Sequence, residues 1–129
     1  MQQVGVDIIE INRIEKAVSH WGNVFLKRIY TDSELRLYEN KLASLAARFS
    51  GKEAVIKALG SNRVSYRDIE IIHDDGGRPC VNLYGNAGQR AKDIGSQNMA
   101  ISLSHCREYA VACAVTEIHP VGGVPPNAL

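Results

Sequence analysis

No charge of either sign dominates this 129-residue chain: 15 Lys and Arg stand against 14 Asp and Glu, a net charge of +1. That balance removes a large uniform field as a reason to bind nucleic acid or a membrane. No apolar run approaches the roughly 20 residues that a membrane-spanning helix needs, and no charged-then-apolar stretch marks the N-terminus as a leader. Cysteine is scarce. Cys80, Cys106 and Cys113 form no CxxC pair and no Cys/His ligand spacing, which argues against a disulfide framework and for a reducing compartment. Cys113, inside YAVACAV, reads as a buried thiol. A soluble cytoplasmic protein is the expectation. The common nucleotide cradles are missing as well: there is no GxxxxGK loop and no GxGxxG, and neither a serine elbow nor HExxH occurs.

What is present is an ordinary globular composition, 45% hydrophobic and 22% charged, in a length that suits one domain. VGVDIIEI (4–11) is a β-branched apolar run and reads as a buried strand. In the following NRIEKAVSHWG, Ile14, Ala17, Val18 and Trp21 recur at helical spacing, with Gly22 as the stop. TDSE (31–34) has the form of a capping box, Thr31 facing Glu34, and starts a helix through LRLYENK. A long helix fits Leu42 to Leu59, closed by Gly60. The second half turns to strands at 68–74, 80–84, 99–105 and 108–115, with DDGGRP as a turn and NAGQRAKDIG as a short helix. In YAVACAV the alternation puts Tyr109, Val111, Cys113 and Val115 on one face. The expected fold is α+β: a single domain, residues 1–117, with a long helix packed on a small, mainly antiparallel sheet. Residues 118–129 read as a Pro/Gly-rich tail, either loose or strapped across a partner.

Several residues are out of place for a plain core. Asp7 stands between Val6 and Ile8, although aspartate is depleted in strands. A buried carboxylate needs a cation, hydrogen-bond donors or a metal, and an ion pair with an arginine is the simplest alternative. The long helix carries RFSGKEAVIKALG (48–60), in which Arg48, Lys52, Glu53 and Lys57 sit among core-like residues. Glu53 and Lys57 are four apart and could form an ordinary surface pair. Two carboxylates without clustered Cys or His suit a hard cation. Magnesium takes one or two carboxylates, keeps several waters, and completes its shell with substrate phosphates. Arg48, Lys52 and Lys57 then suit phosphate oxygens. His105, at the end of an alternating strand, reads as structural when taken alone. The residues by themselves lead to magnesium-assisted phosphate chemistry and no further.

Four blocks in order and spacing carry a resemblance: VGVDIIEINRI, RFSGKEAVIKALG, DIEI with the following Asp, Gly and Pro, and ISLSH with YAVA. Over roughly residues 3–116 the chain resembles the holo-[acyl-carrier-protein] synthases, the small trimeric class of 4'-phosphopantetheinyl transferases. The resemblance implies transfer of phosphopantetheine from coenzyme A to a serine of an apo acyl carrier protein, with release of adenosine 3',5'-bisphosphate. It implies Asp7 and Glu53 as Mg2+ ligands and Lys57 beside the reacting phosphate. Arg48, Lys52 and His105 would lie near the coenzyme's phosphates or adenosine, and Arg78 and Pro79 near the nucleotide. It also implies a homotrimer with sites between subunits. Arg13 matches a basic position that meets the acidic carrier, and Lys16, Lys27 and Arg28 extend that basic surface.

The chain departs from the family pattern in places. Ser50-Gly51 replaces two alanines, Cys106 follows His105, Ser65-Tyr66 stands where a tryptophan is frequent, and the end is proline-rich. Two rival readings use the same residues: a metal-dependent pyrophosphohydrolase, and a non-catalytic coenzyme A-binding subunit.

Overall fold

The computed structural model describes residues 1–119. In chain order the elements are β1 (Gln2–Glu10), α1 (Ile11–Trp21), α2 (Asn23–Ile29), α3 (Asp32–Tyr38), α4 (Leu42–Leu59), a 3-10 turn (Tyr66–Asp68), β2 (Ile69–His73), β3 (Pro79–Leu83), α5 (Gly85–Ile94), β4 (Ser96–His105) and β5 (Tyr109–Ile118). The strands form an antiparallel sheet in the order β1-β5-β4 and a separate β2-β3 hairpin. This is the α+β arrangement that the patterning predicts. Among the described residues, no helix is long and apolar enough to cross a membrane.

Local signals set most boundaries. The α3 capping box forms as its sequence predicts: Thr31 Oγ1 accepts from Glu34 N, and Glu34 Oε1 accepts from Thr31 N. Gly60 and Gly95 end α4 and α5 in the left-handed conformation, a position that favours glycine because it carries no Cβ. The seven-residue α2 has no sequence signature of its own; it exists because Leu26 and Ile29 are buried in the core. β4 starts three residues ahead of the strand predicted at 99, across an irregularity between Gln97 and Ala100 where Asn98 takes a positive φ. β5 runs through Ile118, one residue into the stretch read as tail; residues 120–129 lie outside the described part of the chain.

The long helix α4 lies across one face of the three-stranded sheet. That face carries Gly5 and Ile9 of β1 and the alanines 110, 112 and 114 of β5, all buried. The approach is close enough that a Cβ on Gly5 would sit 1.8 Å from the Ala54 carbonyl oxygen. Gly51 is the helix-side counterpart: a Cβ there would meet the Ile71 side chain at 2.6 Å. A glycine inside a helix costs about 1 kcal/mol against alanine, and here it is accommodated because the helix needs the room.

The face shared by Tyr109, Val111, Cys113 and Val115 is real, but it is the outer one. It continues across β1 through the paired Val4, Val6 and Ile8, which are 59%, 55% and 63% exposed. Cys113 is therefore half-buried on an open face, not the enclosed thiol expected.

Candidate active site

Asp7 is the charged residue on the inner, α4-facing side of β1, between the buried Gly5 and Ile9. A carboxylate there is tolerated because α4 brings donors to it. Ser50 Oγ donates to the Asp7 backbone oxygen at 2.8 Å and to Oδ2 at 3.2 Å. Lys57 Nζ donates to Val6 O at 2.9 Å and approaches Asp7 Oδ1 at 3.4 Å. The partner is thus a lysine, not an arginine. Lys57 accordingly reaches across to the strand, so the alternative of an ordinary surface pair with Glu53 is not what forms.

Glu53 stands one helical turn before Lys57 on α4. Its Oε1 accepts a hydrogen bond from the Tyr66 hydroxyl, and the Tyr66 ring stacks on Phe49, with centroids 5.4 Å apart. Burial, this hydrogen bond and the charges of Glu53 and Asp7 push the Tyr66 phenol up to about 12, so it remains a donor at neutral pH. Asp7, Glu53, Lys57 and Tyr66 line one cleft of ≈ 590 Å³, whose wall is completed by Ile14, Phe25 and Phe49 and whose lining includes Arg13 of α1. Lys57 also borders a second hollow, of ≈ 660 Å³, lined by Ser61, Asn62, Arg63 and Arg90.

The cleft suits a hard cation. Among the described residues, no three His, Cys, Asp or Glu side chains gather as a closed metal cage. Two carboxylates in an open cleft beside a lysine suit a hard divalent cation that completes its shell with water, not a closed site of nitrogen and sulfur ligands.

Lys52 corrects an expectation. It was expected at the coenzyme's phosphates, but its side chain is 0% exposed. Nζ bonds Glu34 Oε1 at 2.7 Å, Tyr66 O at 3.0 Å and Ile69 O. Burial pulls the ammonium below the ordinary lysine range, and the charge and hydrogen bond of Glu34 oppose that pull. With no face toward solvent, Lys52 cannot hold a bound phosphate; it braces the chain before β2 from inside. Glu34 completes the brace by accepting from Ile71 N at 2.8 Å. The carboxylate that caps α3 also neutralises the buried lysine.

Arg48 is 8% exposed; Nε donates to Ile71 O at 3.1 Å and the guanidinium lies 3.7 Å over the Tyr38 ring. Most of its surface is therefore used within the fold. Arg78 and His105 are exposed, but neither lines the Asp7–Glu53 cleft. Arg78 and Pro79 instead border a hollow beside the middle of β4, with Met99 and Leu103. Arg13, Lys16, Lys27 and Arg28 are all exposed on α1 and α2. Tyr66 was noted in the sequence only as a departure from a pattern. Nothing local could have placed its hydroxyl on a carboxylate that lies on another element.

A strand aspartate thus shares one cleft with a glutamate and a lysine of a single long helix, and known proteins resemble this chain over nearly its whole length. The model of the 4'-phosphopantetheinyl transferase superfamily matches residues 3–114, and the chain belongs to that family. A holo-[acyl-carrier-protein] synthase of Dehalococcoides mccartyi strain 195 is 51% identical over 118 residues, which cover 91% of this chain and 99% of the relative. One from Moorella thermoacetica is 44% identical over 91% of this chain and 94% of its own length. Among solved structures, the Helicobacter pylori holo-[acyl-carrier-protein] synthase in complex with coenzyme A superposes with a TM-score of 0.80 at 32% identity, covering 88% of this chain and 99% of that one.

Proposed function

We propose that this protein is a holo-[acyl-carrier-protein] synthase, moving the 4'-phosphopantetheine of coenzyme A onto a serine hydroxyl of an apo acyl carrier protein. The observation that carries the reading is the convergence of Asp7, Glu53 and Lys57 on one cleft that also reaches Arg13. In the reaction, the serine oxygen forms a bond to the β-phosphorus of the coenzyme, and the bond to the bridging oxygen of adenosine 3',5'-bisphosphate breaks. The serine proton leaves to a base, and the bisphosphate departs with the electron pair.

Asp7 and Glu53 would hold Mg2+, which when bound supplies positive charge to the pyrophosphate and orients it. Lys57, between the cleft and the Arg63-lined hollow, is suited to offset charge on the departing bisphosphate. Arg13, at the cleft, would meet the acidic carrier, with Lys16 and Arg28 widening the basic surface.

Two observations support assembly of several copies, which the family resemblance makes a homotrimer. The outer face of the three-stranded sheet exposes Val4, Val6 and Ile8 in a contiguous apolar patch of the kind that marks an interface. Arg78, Pro79 and His105, assigned to coenzyme A, do not line the cleft of their own chain. In a homotrimer, such residues from one subunit would complete the coenzyme site of its neighbour. Three free thiols support a place in the cytoplasm.

The test is mass spectrometry of an apo carrier after incubation with the protein, coenzyme A and Mg2+. The carrier should gain one phosphopantetheine. Asp7→Asn and Glu53→Gln should each lower the rate at least about 100-fold, with the fold retained. Bisphosphate release without a carrier would instead identify a pyrophosphohydrolase. Tight coenzyme binding without transfer would identify a binding subunit.

A further inference from the structure

Glu53 is half-buried at the edge of an open cleft, where a glutamate side chain still has several rotamers open to it. Its geometry is nevertheless constrained. Tyr66 is held at three separate points: its ring by the stack on Phe49, its backbone oxygen by the Lys52 ammonium at 3.0 Å, and its hydroxyl by Glu53 Oε1. Phe49 and Glu53 are four residues apart on α4 and so share a helix face. The ring that rests on Phe49 is thereby aimed at the carboxylate one turn on. Lys52 lies between them in sequence but on the buried side, where it fixes the height of the 3-10 turn that carries Tyr66. The three α4 residues act on Tyr66 from two sides of the helix.

We propose that Tyr66 is a positioning residue for Glu53: it engages Oε1, restricts the carboxylate to one orientation, and leaves Oε2 for the cation. Among the described residues nothing donates to Oε2. The buried Lys52–Glu34 pair is the foundation of this arrangement, and that gives Lys52 a use without any contact to phosphate. Groups that orient a ligating carboxylate through a second hydrogen bond set its affinity for the ion, and their loss typically costs about 10-fold to 100-fold. The inference rests on the assignment of Glu53 to the cation site.

Tyr66→Phe removes one hydroxyl and keeps the ring on Phe49. Mn2+ binding by the full chain in the presence of coenzyme A, followed by electron paramagnetic resonance, should weaken about tenfold. The kcat for transfer should fall by a similar factor at fixed Mg2+ and recover in part at high Mg2+. The carrier KM and the thermal midpoint should not move. Phe49→Leu, which removes the platform but not the hydroxyl, should give a smaller loss of the same kind. Wild-type Mn2+ affinity in Tyr66→Phe would overturn the proposal, whatever the activity. A fall in thermal midpoint with unchanged metal affinity would reduce Tyr66 to a packing residue and overturn it as well. Failure of the wild-type protein to transfer would overturn the synthase reading instead, and the metal titration would still decide the role of Tyr66.

Discussion

On the side of the three-stranded sheet that meets α4 the strands present Gly5, Ala110, Ala112 and Ala114, whereas the opposite side carries Val4, Val6, Ile8, Val111, Cys113 and Val115. In most half-buried sheets the larger apolar residues turn inward. Here the part of the covered face between Ile9 and Ile118 is made of small residues because a helix backbone, rather than a layer of side chains, comes down on it. The Cβ position of Gly5 lies within 3 Å of both the Ala54 oxygen and the Ala58 nitrogen. Close approach also brings α4 side chains such as Ser50 and Lys57 within reach of a strand carboxylate, so the small residues have a functional consequence. On β1 and β5 the outer face is apolar like an interior, and among the described residues it stays largely exposed at Val4, Val6 and Ile8. One face is finished by folding, and the other is the surface on which the proposed trimer would assemble.

The strongest challenge to this contrast is Gly5→Ala. One methyl group would collide with helix backbone that cannot move aside like a flexible side chain. The expected loss is more than about 4 kcal/mol, seen as an absent cooperative melt or an insoluble product. A stable, active Gly5→Ala protein would show that α4 sits farther from the sheet.

Lys52→Met comes next. It leaves Glu34 buried without its cation and should cost about 3–5 kcal/mol in denaturant unfolding. A cost under about 1 kcal/mol would mean that water reaches this pair, and the phosphate assignment for Lys52 would be open again.

Substitutions on the outer face should separate folding from assembly. Val6→Asp and Ile8→Lys should leave far-ultraviolet circular dichroism intact, while sedimentation shows dissociation and transfer activity drops with it. Full activity in a monomeric variant would contradict both the trimer and the shared coenzyme site.

The smallest effect is expected at the rim of the cleft. Arg13→Glu should raise the carrier KM about tenfold at low salt, through lost attraction and added repulsion, and less at moderate salt, where such charges are screened. The coenzyme A KM should be nearly unchanged. A loss confined to coenzyme A would move Arg13 from the carrier's docking surface to the coenzyme's.

The elements that were legible in the sequence are those whose cause is local. The capping box at Thr31 and Glu34, the long helix to Gly60, the strand alternation around 109–115 and the turn at DDGGRP depend on neighbours a few residues away. The oddity of Asp7 was also legible, since a charge between β-branched residues asks for a partner whatever the fold. The family resemblance then linked it to Glu53 and Lys57, and one cleft contains all three. The short α2 left no mark in the pattern, because its two buried residues are explained by the core they enter and not by their spacing.

By itself, the sequence determined which residues share a face and where the capped helices α3 and α4 begin or end, because hydrogen-bonding period and capping chemistry act within a few residues. Which face is covered was decided only by the tertiary structure. A period of two says that Val111, Cys113 and Val115 point together, but not that α4 approaches from the other side. The same limit applied to α4, where Lys52 and Lys57 have the same side-chain chemistry and both stand among core-like residues of one helix. One is sealed against Glu34, and the other reaches Asp7 at the edge of a cleft. Burial and pairing belong to surfaces brought together from distant parts of the chain. The charge of a lysine is written locally, but the solvent it meets is not.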